Sequence, residues 1–213
     1  MRKPGALAML SDAKMPQSRL TLLPDERLAP ALPALQECLS SAGDSIAAEN
    51  LASMLDETMK RVIHLAFQQA GADEGTVWLL DESKEALIPA YNTGPNADQF
   101  VGHFRQPLSA GLVSMVFGNE KPFTENEVPK NAKQDKRLDT ILKTQTLAMI
   151  IVPLYFLDAC RGVISCVKLG VPGAKARDAQ GFSDSAQGLM VHGATLLGRL
   201  IDLRVLRISL GLR

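Results

Sequence analysis

QPLSAGLVSMVFGNEKPF (106–123), TENEVPKNAKQDKRLDTILKTQT (124–146), LAMIIVPLYF (147–156) and, past the turn LDAC, RGVISCVKLG (161–170) form one unbroken stretch whose reading decides the fold. The first piece predicts a short helix: Ser109 is placed to cap it, Leu112, Val113, Val116 and Phe117 give it one buried face, and Gly118 ends it. Lys121-Pro122-Phe123-Thr124 then reads as a short strand, with the proline suited to a sheet edge. The second piece is polar and holds one short helix over 134–143, with Leu138, Ile141 and Leu142 inward. The last two are almost continuously apolar over 148–156 and 162–169. That pattern fits an antiparallel pair of strands covered on both faces.

Upstream, GTVWLLD (75–81) and EALIPAYN (85–92) flank a polar turn and predict a hairpin. Residues 96–105 form a connection that includes Phe100, Val101 and Phe104. Before the hairpin, Ile46, Leu51, Leu55, Met59, Val62, Ile63, Ala66 and Phe67 recur at three- and four-residue steps. They predict one amphipathic helix over 45–70, capped by Asp44 or Ser45 and stopped by Gly71. Residues 1–40 carry Pro4, Pro16, Pro24, Pro30 and Pro33 and read as a mobile Pro-rich tail, with a short helical patch near Leu20 as its one candidate for docking. Downstream, 172–181 is a Gly/Pro/charged loop. A long helix follows, with Ser183 as its cap. Leu189, Leu196, Leu203 and Leu210 repeat along it at seven-residue spacing, and Met190, Ala194, Leu197 and Ile201 widen the stripe. This stripe serves equally for packing on the chain's own sheet and for pairing with another chain. The helical and strand segments make one domain over 45–208, with 209–213 as a C-terminal tail, and predict an α+β fold.

The chain has 213 residues, 46% of them apolar, and a formal net charge of zero. It is long enough for a sizeable core, and it lacks the clustered positive charge that nucleic acid or an anionic membrane surface demands. No apolar run has the length of a membrane span, and the basic start soon meets Ser11, Asp12 and Lys14, so no secretory signal is expected. The cysteines, Cys38, Cys160 and Cys166, are odd in number and lack metal-ligand spacing. Together these features predict a cytoplasmic protein. No metal motif, phosphate loop or nucleophile elbow is present, and no cofactor is indicated.

The order of these elements resembles a GAF domain over about 51–206. PLSAGLVSMVFGNEKPF is similar to the family's leucine–glycine helix followed by a Lys-Pro strand. QDKRLDTIL is similar to its Asp-x-Arg-Phe helix, with Leu138 in the Phe place. LAMIIVPLYFLDACRGVISCVKL is similar to its closing strand pair. The resemblance implies a GAF-like (profilin-like) six-stranded antiparallel sheet. Its first and last helices pack on one face, and a ligand pocket lies on the other. It implies regulation more often than catalysis. Cyclic-nucleotide members carry asparagine and aspartate where this chain has Asp139 and Lys143, and bilin members carry a pocket cysteine, commonly beside histidine, which neither Cys160 nor Cys166 has.

Around the implied pocket, Lys121, Phe123, Glu125 and Asn126 come from the edge strand. Arg137, Gln145 and Thr146, with Asp135, Lys136 and Asp139, come from the other wall. These and Cys166 are the candidate ligand-binding residues, and any one of the charged ones also reads as a solvated loop residue. Gln106 is equally ambiguous, and Trp78 reads as core. Leu55 and Val62 on the first helix and Leu189, Leu196 and Leu203 on the last are the candidate dimer contacts. The expected function is that of a stand-alone regulatory or sensory domain that binds a small molecule, forms a homodimer and acts on a downstream protein partner. One alternative is a thiol enzyme working through Cys160 and Cys166, as in free methionine sulfoxide reductases of this family; another is a ligand-free interaction module.

Overall fold

Asp56 and Gly71 set the ends of the helix that leads into the sheet. The computed structural model describes residues 29–44, 46–170 and 181–211. A 3-10 turn precedes α1 (Leu32–Asp44), followed by α2 (Ala48–Met54) and α3 (Glu57–Ala70). The single helix expected over 45–70 is therefore broken. Leu55 is extended and buried in the core, and Asp56 caps α3 by accepting the Met59 N–H at 2.9 Å. A carboxylate that satisfies an orphan N–H favours a fresh start over continuing the old helix. Ser45, an expected cap, lies outside the described residues. Gly71 ends α3 as expected, in the left-handed region at φ 72°. α1 corrects the tail reading over 32–40. Pro33 sits in its first turn, where a missing N–H breaks no bond, and Leu39 and Ala42 pack against the core. Residues 1–28 lie outside the described residues.

Then come β1 (Glu74–Leu80), β2 (Ala86–Asn92), β3 (Gln106–Pro107), α4 (Leu112–Asn119), β4 (Phe123–Glu125), α5 (Arg137–Leu142), β5 (Gln145–Phe156), β6 (Ala159–Gly170) and α6 (Asp184–Ser209). The six strands form one antiparallel sheet in the order β3-β2-β1-β6-β5-β4. β5 and β6 pair along their whole length, from Gln145↔Gly170 to Phe156↔Ala159. The edge strand β3 pairs only Pro107 with Ala86 and Gln106 with Leu87, too few residues to show any periodicity.

Alternation along the strands separates two cores. On one face Val77, Leu79, Ile150, Val152, Ile164 and Cys166 meet Met59, Ile63 and Phe67 of α3 and Met190, Leu197 and Ile201 of α6. On the other, Trp78, Leu87, Ile151 and Val163 meet Phe100, Phe104, Val128 and the buried side of α4.

Several local expectations about helix ends are corrected. α4 starts at Leu112, with Gly111 rather than Ser109 at the cap position and no side-chain cap. It runs past Gly118 to Asn119, and Glu120 takes the left-handed closing position at φ 53°. α5 begins at Arg137, and Ile141 on it is half exposed, while Leu138 and Leu142 pack on the core as expected. Ser183 takes the N-cap position of α6 as expected, but its side chain makes no cap bond; its hydroxyl lies 3.1 Å from Ser185 Oγ instead.

Candidate functional site: a cavity under α5

Glu74, Thr76 and Trp78 alternate along β1 and so point to the face opposite α3 and α6. Their partners across β6 are Val167, Ser165 and Val163. Thr146 and Met149 of β5 extend this floor. The roof is the start of α4, together with residues 134–142 leading into and along α5. Between floor and roof is a cavity of about 70 Å³.

Its polar groups are mostly tied to one another. Trp78 Nε1 donates to Ser165 Oγ at 2.9 Å, so the indole is fixed both by packing and by its N–H. Asp139 Oδ1 accepts the Thr146 hydroxyl at 2.7 Å, and its Oδ2 accepts Thr146 N and Gln134 Nε2, both at 3.0 Å. That carboxylate closes the first turn of α5 onto β5. Asp135 accepts Arg137 Nη2 at 2.6 Å and Gln106 Nε2 at 3.1 Å. The Arg137 guanidinium is the main reason the Asp135 carboxyl is held down at about 2; burial works against it. Gln106 spends its second amide hydrogen on Ala110 O at 2.7 Å. Gly111 makes room for this arrangement: its φ is 87°, and a Cβ there would lie 2.7 Å from Gln106 Nε2.

Two acceptors are left over. Gln134 Oε1 is inaccessible to solvent and has no hydrogen-bond partner. Glu74, half-buried at one end of the cavity, forms no hydrogen bond or ion pair among the described residues; burial, and then Asp73, raise its carboxyl. Next to the cavity is a broad open hollow of about 790 Å³ lined by Phe100, His103, Phe104, Arg105 and Arg137, with Arg137 lying 5.3 Å over the Phe104 ring.

No protein-family model and no curated protein matches the chain. Solved structures do. The GAF domain of a Coxiella burnetii phosphoenolpyruvate-protein phosphotransferase aligns with a TM-score of 0.58 and 17% identity, over 84% of this chain and 95% of that one. The GAF domain of the Acinetobacter phosphoenolpyruvate-protein phosphotransferase aligns with a TM-score of 0.52 and 21% identity, over 81% and 92%. The fold is that of a GAF domain. A type II free methionine-R-sulfoxide reductase from Thermoplasma acidophilum shares the architecture, with a TM-score of 0.50 and 18% identity, over 78% and 94%.

Within this GAF fold the residues expected to bind a ligand are dispersed. Thr146 lines the cavity. Arg137 reaches it only through Asp135. Gln145 belongs to a separate surface hollow with Lys136 and Lys143. Lys121 is exposed, and Phe123 packs against the α4 core. Glu125 accepts Asn131 Nδ2 at 2.7 Å and Glu127 N at 2.8 Å, which lower its pKa. Asn126 holds Phe182. Cys166 faces α3 and α6, because residues 165 and 166 of a strand point to opposite faces. Burial pushes both the Cys160 and Cys166 thiols up to about 12, so neither is a thiolate at neutral pH. Among the polar lining residues missed are Glu74, Thr76, Gln134 and Ser165. A signal for three of them existed: polar residues at alternate positions of a strand, and one serine inside an apolar run.

Among the described residues, no group of His, Cys, Asp and Glu is arranged to hold a metal ion, and no helix is long and apolar enough to cross a membrane. Of the expected dimer contacts, Leu55 is buried in the core and takes no part in any surface. Leu189, Leu196 and Leu203 are 38%, 41% and 52% exposed, and Val62 is half-buried.

Proposed function

We propose that this chain is a regulatory, sensory GAF-fold domain that holds a small molecule in the cavity under α5, pairs with a second copy through the outward leucines of α6, and acts on a downstream protein partner. The observation that carries the ligand reading is the cavity between the sheet and α5, lined by Trp78 and by polar side chains of β1, β5, β6 and the α5 segment. Cavity size narrows the class. About 70 Å³ is far below the roughly 300 Å³ at which drug-sized ligand pockets begin, so a cyclic nucleotide, haem or bilin does not fit this arrangement. The thiol-enzyme reading has less in its favour: Cys166 faces away from the cavity, and both β6 thiols are held protonated.

Native mass spectrometry of the whole chain, set against its denatured mass, tests the proposal. The expected spectrum is a dimer carrying a small additional mass that denaturation removes. A monomer at micromolar concentration with no added mass overturns both parts.

A further inference from the structure

The broad hollow outside the cavity has a chemistry of its own, and its reading rests on the downstream protein partner just proposed. Arg105, Lys136 and Arg137 line it together with His103, and no carboxylate does. The two arginines come from distant parts of the chain, and each is pinned from behind. Arg105 donates through Nη2 to the buried Asp81, and Arg137 donates through Nε and Nη2 to Asp135, at 3.0 and 2.6 Å. Both guanidinium groups are still about half exposed, and the Nη1 of each makes no hydrogen bond among the described residues. Lys136 adds an exposed ammonium with no ion pair among the described residues. The acids near it in sequence, Asp135 and Asp139, are turned inward to Gln106 and Thr146. Ile141 gives the hollow an apolar side chain that is half exposed, whereas the aromatic floor, Phe100 and Phe104, is buried. Nucleic-acid bases stack on exposed aromatic faces, and a small molecule needs most of its surface enclosed; the open hollow offers neither. Held donors, a lysine and an aliphatic group spread over an open surface complement an extended acidic chain, which advances about 3.3–3.6 Å per residue. We infer that this hollow docks an acidic segment of the partner protein, with carboxylates on Arg105, Lys136 and Arg137 and an aliphatic side chain on Ile141. α5 then serves both sites, since Leu138 and Asp139 roof the cavity while Arg137 and Ile141 line the hollow.

Fluorescence anisotropy of a labelled peptide, Glu-Glu-Leu-Glu-Asp-Leu-Glu-Glu, titrated with the full chain at pH 7 and low salt, tests this. Saturable binding is expected, weakening at least fivefold between about 50 and about 300 mM salt. The same peptide with lysine for every acid is expected not to bind, and the one with serine for every leucine to bind at least fivefold more weakly. Lys136→Glu with Ile141→Gln is expected to weaken binding at least tenfold while keeping the thermal midpoint, because both side chains are exposed and lie outside the core. No binding of the acidic peptide, equal binding of the lysine or serine peptide, or unchanged binding in the double variant overturns the inference. Tighter binding of a labelled oligouridylate of equal charge also overturns it and assigns the hollow to nucleic acid. Displacement of the peptide by equimolar citrate overturns it in favour of a small anion. Pull-downs separate this inference from the reading beneath it. A partner held equally by wild type and the double variant keeps the partner reading and overturns the hollow; no partner held by either removes both.

Discussion

Asp202 lies on α6 beneath the β5–β6 turn, almost wholly buried, and its Oδ1 accepts the Leu157 N–H at 2.7 Å. Burial is the first cause raising its carboxyl from an ordinary 3.8 to about 6; Asp158 adds to the shift, while the Leu157 N–H and Arg161 oppose it. The folded chain thus binds this proton more tightly than the unfolded chain does. Stability is therefore greatest, for this group, below about pH 4, and it falls as pH rises through 6, by about 3 kcal/mol in all. Asp81 has the opposite sign. Despite burial, bonds from Ser83, Ala86, Glu85 and Arg105 hold it at about 2, and Asp135 is held there as well, so both act mainly below about pH 4. Glu74 is raised and adds a slope of Asp202's sign, and Glu125 is lowered and subtracts, so the informative quantity is the difference from Asp202→Asn. Going from pH 7 to pH 5, wild type is expected to gain about 1 kcal/mol more than the variant in urea unfolding. Equal gains would show that Asp202 titrates normally. Asp202 was not legible from pattern alone: apolar periodicity marks Leu197 and Ile201 and passes over an aspartate buried beside them.

At the scale of elements, α6 is anchored less by its own cap than by a distant loop. Asn126 Nδ2 donates to Phe182 O at 3.1 Å, and Phe182 N donates back to Asn126 Oδ1 at 2.8 Å. Gln187 Nε2 adds a bond to Thr124 Oγ1 at 3.0 Å. The edge strand β4 and the loop after it therefore fix where α6 begins. Asn126→Ala is expected to cost about 2 kcal/mol, two net hydrogen bonds, and to speed amide exchange selectively in the first turn of α6. A uniform change along the helix, or none, would argue against the anchor. The same distinction explains which elements were legible. β5, β6 and the body of α6 declare themselves by long local patterns, and α3 by its stripe and Gly71. The break at Leu55–Asp56, the two-residue β3 and the start of α4 at Gly111 depend on contacts with residues far along the chain or on a few residues alone. The cavity was partly legible for the same reason: Asp135, Asp139 and Thr146 cluster in sequence, whereas Glu74 and Ser165 come together only once β1 pairs with β6.

At the scale of the whole molecule, the sheet separates two surfaces that need each other for the proposed function. Ser165 faces the cavity and Cys166 the helices, so β6 touches both cores within two residues. A ligand that shifts β6 has a short path to α6, and any effect on pairing is reciprocal: binding that favours the dimer is itself favoured by dimerisation. α6 carries two sets of leucines on different sides. Leu197, with Ile201, is fully buried on the sheet, whereas Leu189, Leu196, Leu203 and Leu210 form an outward row at seven-residue spacing, each at least 38% exposed. A heptad row on a helix already satisfied on its inner side is what a helix-to-helix seam between two chains uses. Leu196→Glu with Leu203→Glu is therefore expected to convert the proposed dimer to a monomer in light scattering at micromolar concentration, while the far-ultraviolet spectrum is kept and the thermal midpoint changes little, because both residues lie outside the core. Leu197→Glu, one position away, is expected to unfold the domain by burying an unpaired charge. If the double variant stays dimeric, the seam lies elsewhere; if it unfolds as Leu197→Glu does, the outward row belongs to the fold rather than to a partner.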